Sequence, residues 1–189
     1  MTEIGADELL PRKAPMHRLA SSIRSVPDFP KKGIVFRDIT TLLQDRVAFR
    51  EAVDVFLERY KNERVDKVVC VESRGFILGA ALALKLGAGF VPIRKRGKLP
   101  ARTLQEEYSL EYGTDIIEIH ADAIQQGERV LVHDDLLATG GTISAACRLV
   151  EKLGGKILGL SFLIELNFLK GREQLKGYDI FSVIQYESE

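Results

Sequence analysis

The chain has no tryptophan and only two methionines, two cysteines and three histidines in 189 residues. Each scarcity excludes something. Cys70 and Cys147 lie far apart and make no metal-type spacing. A reduced, cytoplasmic protein is therefore expected, although one disulfide stays open on the sequence alone. His17, His120 and His133 are scattered, which argues against a zinc site. Neither sign of charge is in excess: 27 Lys and Arg balance 27 Asp and Glu. A dedicated nucleic-acid binder usually carries a visible positive excess, so nucleic acid is not expected as a partner. No apolar run reaches the ~18–20 residues of a membrane helix. The longest candidate, 76–84, stops at Lys85. The first residues carry Glu3, Asp7 and Glu8 without an apolar core, so no secretory signal is expected. The remaining composition, 46% hydrophobic and 29% charged, is that of an ordinary globular domain.

The pattern along the chain predicts a polar tail over 1–15, broken by Pro11 and Pro15, and a single domain over 16–189. A short helix is expected over 16–24. Pro27 and Pro30 then impose an extended passage, and Lys31-Lys32-Gly33 reads as a turn before the apolar 34–36. Asp45 is placed to cap a helix reaching about Tyr60, with Phe49, Val53, Phe56 and Leu57 at helical spacing. KVVCV over 67–71 reads as a strand buried on both faces. A small-residue helix over 75–86 stops at Gly87, and a strand follows over 90–93. Residues 94–106 read as a long polar loop with five basic residues. The alternation over 108–112 and 114–120, broken by Gly113, predicts a hairpin. Further strands are expected over 129–133, 157–166 and 181–186, with a helix over 142–153.

Alternating strands and helices from about residue 45 to 166 predict an α/β fold, a mainly parallel sheet flanked by helices. In such sheets ligands sit beyond the carboxyl ends of the strands. The segments after Val71, Ile93 and Val132 are thus the places to look for chemistry.

The most informative segment is VLVHDDLLATGGT, Val130 to Thr142. A buried strand delivers two adjacent carboxylates, Asp134 and Asp135. A loop of small residues follows, Ala138, Thr139, Gly140, Gly141 and Thr142, and then a helix. Glycines allow close backbone approach to an anion, and a helix N-terminus adds partial positive charge. The loop is built to hold a phosphate. It has neither the Gly-Lys-Ser/Thr of a Walker A loop nor the GxGxxG fingerprint. Carboxylates beside a phosphate seat must face a group that donates, and a vicinal diol does. The combination fits a ribose 5-phosphate. Glu72-Ser73-Arg74-Gly75, following a strand and opening a helix, is a second candidate anion seat. Arg94, Lys95, Arg96 and Lys98 form a basic cluster beyond another strand.

Val130 to Thr142 resembles the phosphoribosyl-pyrophosphate signature of the type I phosphoribosyltransferase family. VPDFPKKGIVFRDIT, ESRGFILG, IRKRGKLP, EYSLEYG and LKGREQL extend the resemblance from about residue 24 to the C-terminus, toward the branch that uses adenine. The resemblance implies the fold of that family, with hood elements within 16–40 and a hairpin lid over about 94–120. It implies a reaction in which adenine and phosphoribosyl pyrophosphate give AMP and pyrophosphate, with Mg²⁺, in a cytoplasmic homodimer engaged in purine salvage. By the same resemblance Asp134 and Asp135 hold the ribose hydroxyls, and residues 138–142 the 5-phosphate. Arg74, with Lys95 and Lys98 as the best basic-loop candidates, would meet pyrophosphate, and Glu72–Ser73 would be a cis peptide. Glu111 would carry a proton for the base on the lid, beside Tyr112. The backbone at Val35 and Arg37 would read the adenine edge, Phe36 would stack on the ring, and Leu136 and Leu137 would give its other wall. Mg²⁺ tends to keep its waters, so it is expected on the pyrophosphate and ribose hydroxyls with no named protein ligand. His133 departs from the usual apolar residue and is expected to be partly buried. Two alternatives stay open: a relative using another purine base, and a regulator that binds the ribosyl donor without turnover.

Overall fold

The computed structural model describes residues 15–109 and 113–189. They divide into two compact units, with the boundary after Glu51.

The first unit starts with α1 (Pro15–Ser21), shorter than the expected helix because the chain turns into β1 (Arg24–Val26). β1 pairs antiparallel with β2 (Phe36–Asp38), with Arg24 opposite Asp38. Their guanidinium and carboxylate meet at 2.5 Å. Between the strands, the Phe29–Pro30 peptide is cis, and the Gly33 amide donates to the Asp28 carboxylate at 2.8 Å. The rings of Phe29 and Phe36 meet edge to face, 5.2 Å apart. After α2 (Thr40–Gln44), Asp45 caps α3 (Arg46–Tyr60) as expected. Its carboxylate accepts the amides of Val47 and Ala48 at 2.8 and 3.2 Å, satisfying two orphan donors of the first turn.

In the second unit, β3 (Lys67–Val71), α4 (Gly75–Leu86), β4 (Gly89–Lys95), β5 (Thr103–Ser109), β6 (Thr114–His120), β7 (Arg129–Leu137), α5 (Gly141–Lys152), β8 (Lys156–Leu166) and β9 (Ile180–Tyr186) follow one another. They form one sheet in the order β5-β6-β4-β3-β7-β8-β9. β4, β3, β7, β8 and β9 run parallel, and the β5–β6 hairpin adds antiparallel strands at the β4 edge. The expected α/β architecture is the observed one. The polar loop is shorter than expected, because β4 continues to Lys95 to pair with β6 and β5 begins at Thr103. β7 is longer than expected and carries both aspartates within it.

Period-two alternation sorts the core into two layers. Val69, Val71, Val130 and Val132 join the cluster that includes Ile143, Ala146, Leu149 and Val150 of α5. Cys70 and His133 point the other way, against Gly79 of α4, where a Cβ would overlap the Cys70 sulfur. Gly87 ends α4 in the left-handed region (φ 67°), which a glycine adopts without steric cost.

Candidate active site

The sheet order fixes where a ligand can bind. From β3 the chain moves to β4 on one side, whereas from β7 it moves to β8 on the other. Strands β3 and β7 are therefore the switch point, where diverging connections leave a crevice. Residues 72–74 extend from β3 into this crevice. Asp134, Asp135 and the small-residue loop reach it from β7.

A cavity of about 350 Å³ lies there, lined by Glu72, Ser73, Arg74, Lys95, Tyr108, Asp134, Asp135 and Thr142, with Val71, Ile117 and Leu136 behind them. A second hollow of about 70 Å³ is enclosed by the loop itself, from Ala138 to Ile143, together with Asp134, Leu136 and Leu137. Gly140 stands at φ 87° at the N-terminus of α5. A Cβ there would come within 2.5 Å of the Gly171 carbonyl oxygen. Both its backbone angle and this close approach require glycine. The smaller hollow thus has the backbone amides and helix terminus of an anion seat.

Carboxylates and cations alternate around the larger cavity. Arg74 Nε donates to Asp135 at 2.6 Å, and the Asp135 amide donates to the Asp134 carboxylate at 2.9 Å. Burial, reinforced by the neighbouring Asp135 charge, raises the Asp134 carboxyl well above its ordinary value. A Cβ on Gly75 would lie 2.6 Å from an Asp134 carboxylate oxygen, so the start of α4 can approach the acid only as glycine. Glu72 accepts from Arg94 Nε and from the Lys98 ammonium, each at 2.6 Å. Burial opposes its charge, yet these hydrogen bonds and one from the Lys95 amide hold its carboxyl below the usual range. The Lys95 ammonium lies 2.9 Å from Asp115, whose carboxyl it lowers and whose charge raises its own pKa. The Glu72–Ser73 peptide is cis.

The structure brings Arg74, Lys95, Asp134, Asp135, Leu136 and Thr142 to one cavity, and Ala138, Thr139, Gly140 and Gly141 to the adjoining hollow. Lys98 is not among the lining residues; its side chain is turned onto Glu72. Val35, Phe36 and Arg37 belong to the first unit, where Phe36 packs on Phe29 and Arg37 donates to Ser25 at 2.6 Å. Glu111 and Tyr112 lie outside the described residues. His133 is fully buried rather than partly so, because its strand position faces α3 and α4: its ring meets Phe56 at 5.0 Å and its Nδ1 pairs with Ser161 at 2.9 Å. Sequence reasoning missed Tyr108 and Asp115, which face each other across the hairpin. Tyr108 was legible as an aromatic in an alternating strand. Nothing local marked Asp115.

A strand-borne acid pair, a glycine loop beneath it and a cation-lined cleft at the switch point define a site for a phosphorylated ribose. A family model described as the phosphoribosyl transferase domain matches residues 39–187, and the chain belongs to that family. The particular proteins it resembles are adenine phosphoribosyltransferases. One from Chloroflexus aurantiacus is 61% identical over 168 residues, covering 89% of this chain and 97% of the relative. A crystal structure of the Thermoanaerobacter pseudethanolicus protein is 53% identical with a TM-score of 0.88, covering 90% of this chain and 99% of that one. That of the Saccharomyces cerevisiae protein, complexed with an imino-altritol bisphosphate and adenine, is 40% identical with a TM-score of 0.85, covering 89% and 98%.

Proposed function

We propose that this chain transfers the 5-phosphoribosyl group of phosphoribosyl pyrophosphate to adenine, giving AMP and pyrophosphate in purine salvage. The observation that carries this reading is the placing of Asp134 and Asp135 between an anion-sized glycine hollow and a cation-bearing cleft. The yeast relative's complex with adenine supports the choice of base.

In this reading residues 138–142 hold the 5-phosphate, and Asp134 and Asp135 accept hydrogen bonds from the ribose hydroxyls. Hydrogen bonds to charged groups of this kind contribute about 1.5–3 kcal/mol each. Arg74 and Lys95, with Lys98 alongside on Glu72, meet the pyrophosphate. The bond from the anomeric carbon to pyrophosphate breaks as the adenine nitrogen bonds to the opposite face, with inversion. The acid pair favours the positive charge that builds on the ribose between the two events. Val35 and Arg37 read the adenine edge through their backbones, and Phe36 stacks on the ring. Glu111, beside Tyr112, takes the proton that the attacking nitrogen loses, a contribution of about 10²–10⁴ in rate. Closure of the hairpin over 94–120 excludes water from the activated ribose.

The residues also suit Mg²⁺. Among the described residues no three His, Cys, Asp or Glu side chains gather as a metal cage. The acid pair instead offers acceptors for the waters of an ion held by pyrophosphate and ribose oxygens. When bound, Mg²⁺ neutralises charge on the leaving pyrophosphate.

A cytoplasmic homodimer belongs to the same proposal. No helix among the described residues is long and apolar enough to cross a membrane. Ile77 and Leu84, seven residues apart on one side of α4, are 42% and 83% exposed, an apolar surface suited to a second copy.

The test is a panel of adenine, hypoxanthine and guanine with the ribosyl donor and Mg²⁺. Adenine is expected to be consumed with stoichiometric pyrophosphate release. Turnover of an oxo-purine alone, or donor binding with no turnover of any base, overturns the reading.

A further inference from the structure

Arg74 and Lys95 line the larger cavity, Arg94 and Lys98 bind Glu72 in its wall, and each of the four is held by a carboxylate of the chain itself. The four pairs are not equivalent. Arg94 and Lys98 share Glu72, whose side chain is only 8% exposed, and Arg74 holds Asp135, also at 8%. Those cations compensate carboxylates that have lost their water, so pulling them away would strand a buried charge. Lys95 differs. Its side chain is 58% exposed and that of its partner Asp115 25%. Asp115 is secured independently: one carboxylate oxygen accepts the Ile116 amide at 2.8 Å, and the other faces the Tyr108 hydroxyl at 3.4 Å. It keeps its place when Lys95 leaves, and water can reach it.

We propose that Asp115 is a placeholder for the phosphates of the leaving group: it parks Lys95 at the cleft, yields it to pyrophosphate when the donor binds, and takes it back as pyrophosphate departs. The inference rests on the ribosyl-transfer reading above and deepens it. It assigns Lys95 as the exchangeable cation among the four, and Asp115 as a positioning residue that acts through it. An exchange of partners of this kind lowers affinity for the anion and speeds its departure, since the separated state has a competitor for Lys95. Tyr108 lines the larger cavity together with Thr142 of the phosphate loop, and it faces Asp115. The parked arrangement and the loop proposed for the 5-phosphate thus face one cavity.

The experiment uses the full chain, wild type and the variants Asp115→Asn, Asp115→Glu, Lys95→Ala and Lys95→Ala with Asp115→Asn. Initial rates give KM for the donor and kcat, and inorganic pyrophosphate is the probe for product inhibition. Asp115→Asn keeps the shape and frees Lys95. It is expected to lower both the donor KM and the pyrophosphate inhibition constant about three- to tenfold, with kcat unchanged or reduced. Asp115→Glu is expected to restore wild-type behaviour. In the Lys95→Ala background Asp115→Asn should change the pyrophosphate inhibition constant by less than about twofold, since coupled residues lose their effect together. A purely structural role would instead raise KM, lower the melting temperature and persist without Lys95. Any of those results, or an unchanged pyrophosphate constant in Asp115→Asn, overturns the placeholder. A wild-type protein that neither turns over adenine nor binds pyrophosphate would instead overturn the transfer reading.

Discussion

His133 shows how one residue can be chemically silent beside reacting groups. It precedes the acid pair in sequence, yet strand alternation turns it into the layer with Phe56 and Gly79. Burial lowers its pKa to about 3, so it stays neutral in the folded protein over the physiological range. Its Nε2 has no hydrogen-bond partner among the described residues. The consequence is for stability rather than catalysis. The unfolded chain takes up a proton at this residue below its ordinary value of 6.5, whereas the folded chain does not until near 3. The unfolded state therefore binds more protons in that window. The stability contributed by neutral His133 is intact above pH 6.5 and declines as the pH falls toward 3. The expected loss is about 1 kcal/mol between pH 7.5 and 5.5. In urea titrations at the two pH values, His133→Leu should shrink the difference by that amount. An equal difference in both proteins would show that the decline comes from other groups.

At the scale of elements, the phosphate loop owes its shape to a segment far along the chain. Two 3₁₀ turns, Asn167–Leu169 and Gly171–Leu175, follow β8. Arg172 in the second turn grips the end of β8 by donating to both carboxylate oxygens of Glu165, at 2.6 and 2.8 Å. That grip sets Gly171 directly against the loop, where a Cβ would overlap the Ala138 carbonyl oxygen and lie 2.9 Å from Leu137 Cδ1. Gly171→Ala must therefore push the loop away from its seat. Donor KM is expected to rise tenfold or more, and stability to fall by about 1–3 kcal/mol, the usual cost of overpacking. Steady-state kinetics with circular dichroism would check both; a variant with wild-type KM would show that the loop is not shaped by this contact. The hairpin is tied down in a similar way. Glu106 on β5 is bound by Arg148, at 2.8 Å, and by Lys152, both on α5. The buried Glu118 on β6 accepts the backbone amides of Lys98 and Leu99 at 3.1 and 3.0 Å. The base of the proposed lid is thus fixed by charge on both sides.

At the scale of the whole molecule, the exposed apolar side of α4 argues for self-association. Leu84→Glu places a charge at a position 83% exposed, so it should leave the monomer folded. Sedimentation is expected to show the wild type at twice the 21.1 kDa chain mass and the variant shifted toward the monomer. A wild type that sediments as a monomer would remove the dimer from the proposal. The sequence by itself determined whatever adjacency along the chain can encode. The alternating elements gave the α/β class, Asp45 gave the α3 cap, and the contiguous VLVHDDLLATGGT gave the acid pair with its anion seat. Strand ends were less legible, because pairing with β6 and β8 extends β4 and β7 beyond their apolar runs. Only the tertiary structure decided which charges meet: Arg74 and Asp135, 61 positions apart, and Lys95 with Asp115. An ion pair needs atoms within a few ångströms, and that closeness comes from the order in which strands join the sheet. Strand order is fixed by burying both layers of the core at once, which no local pattern of residues records.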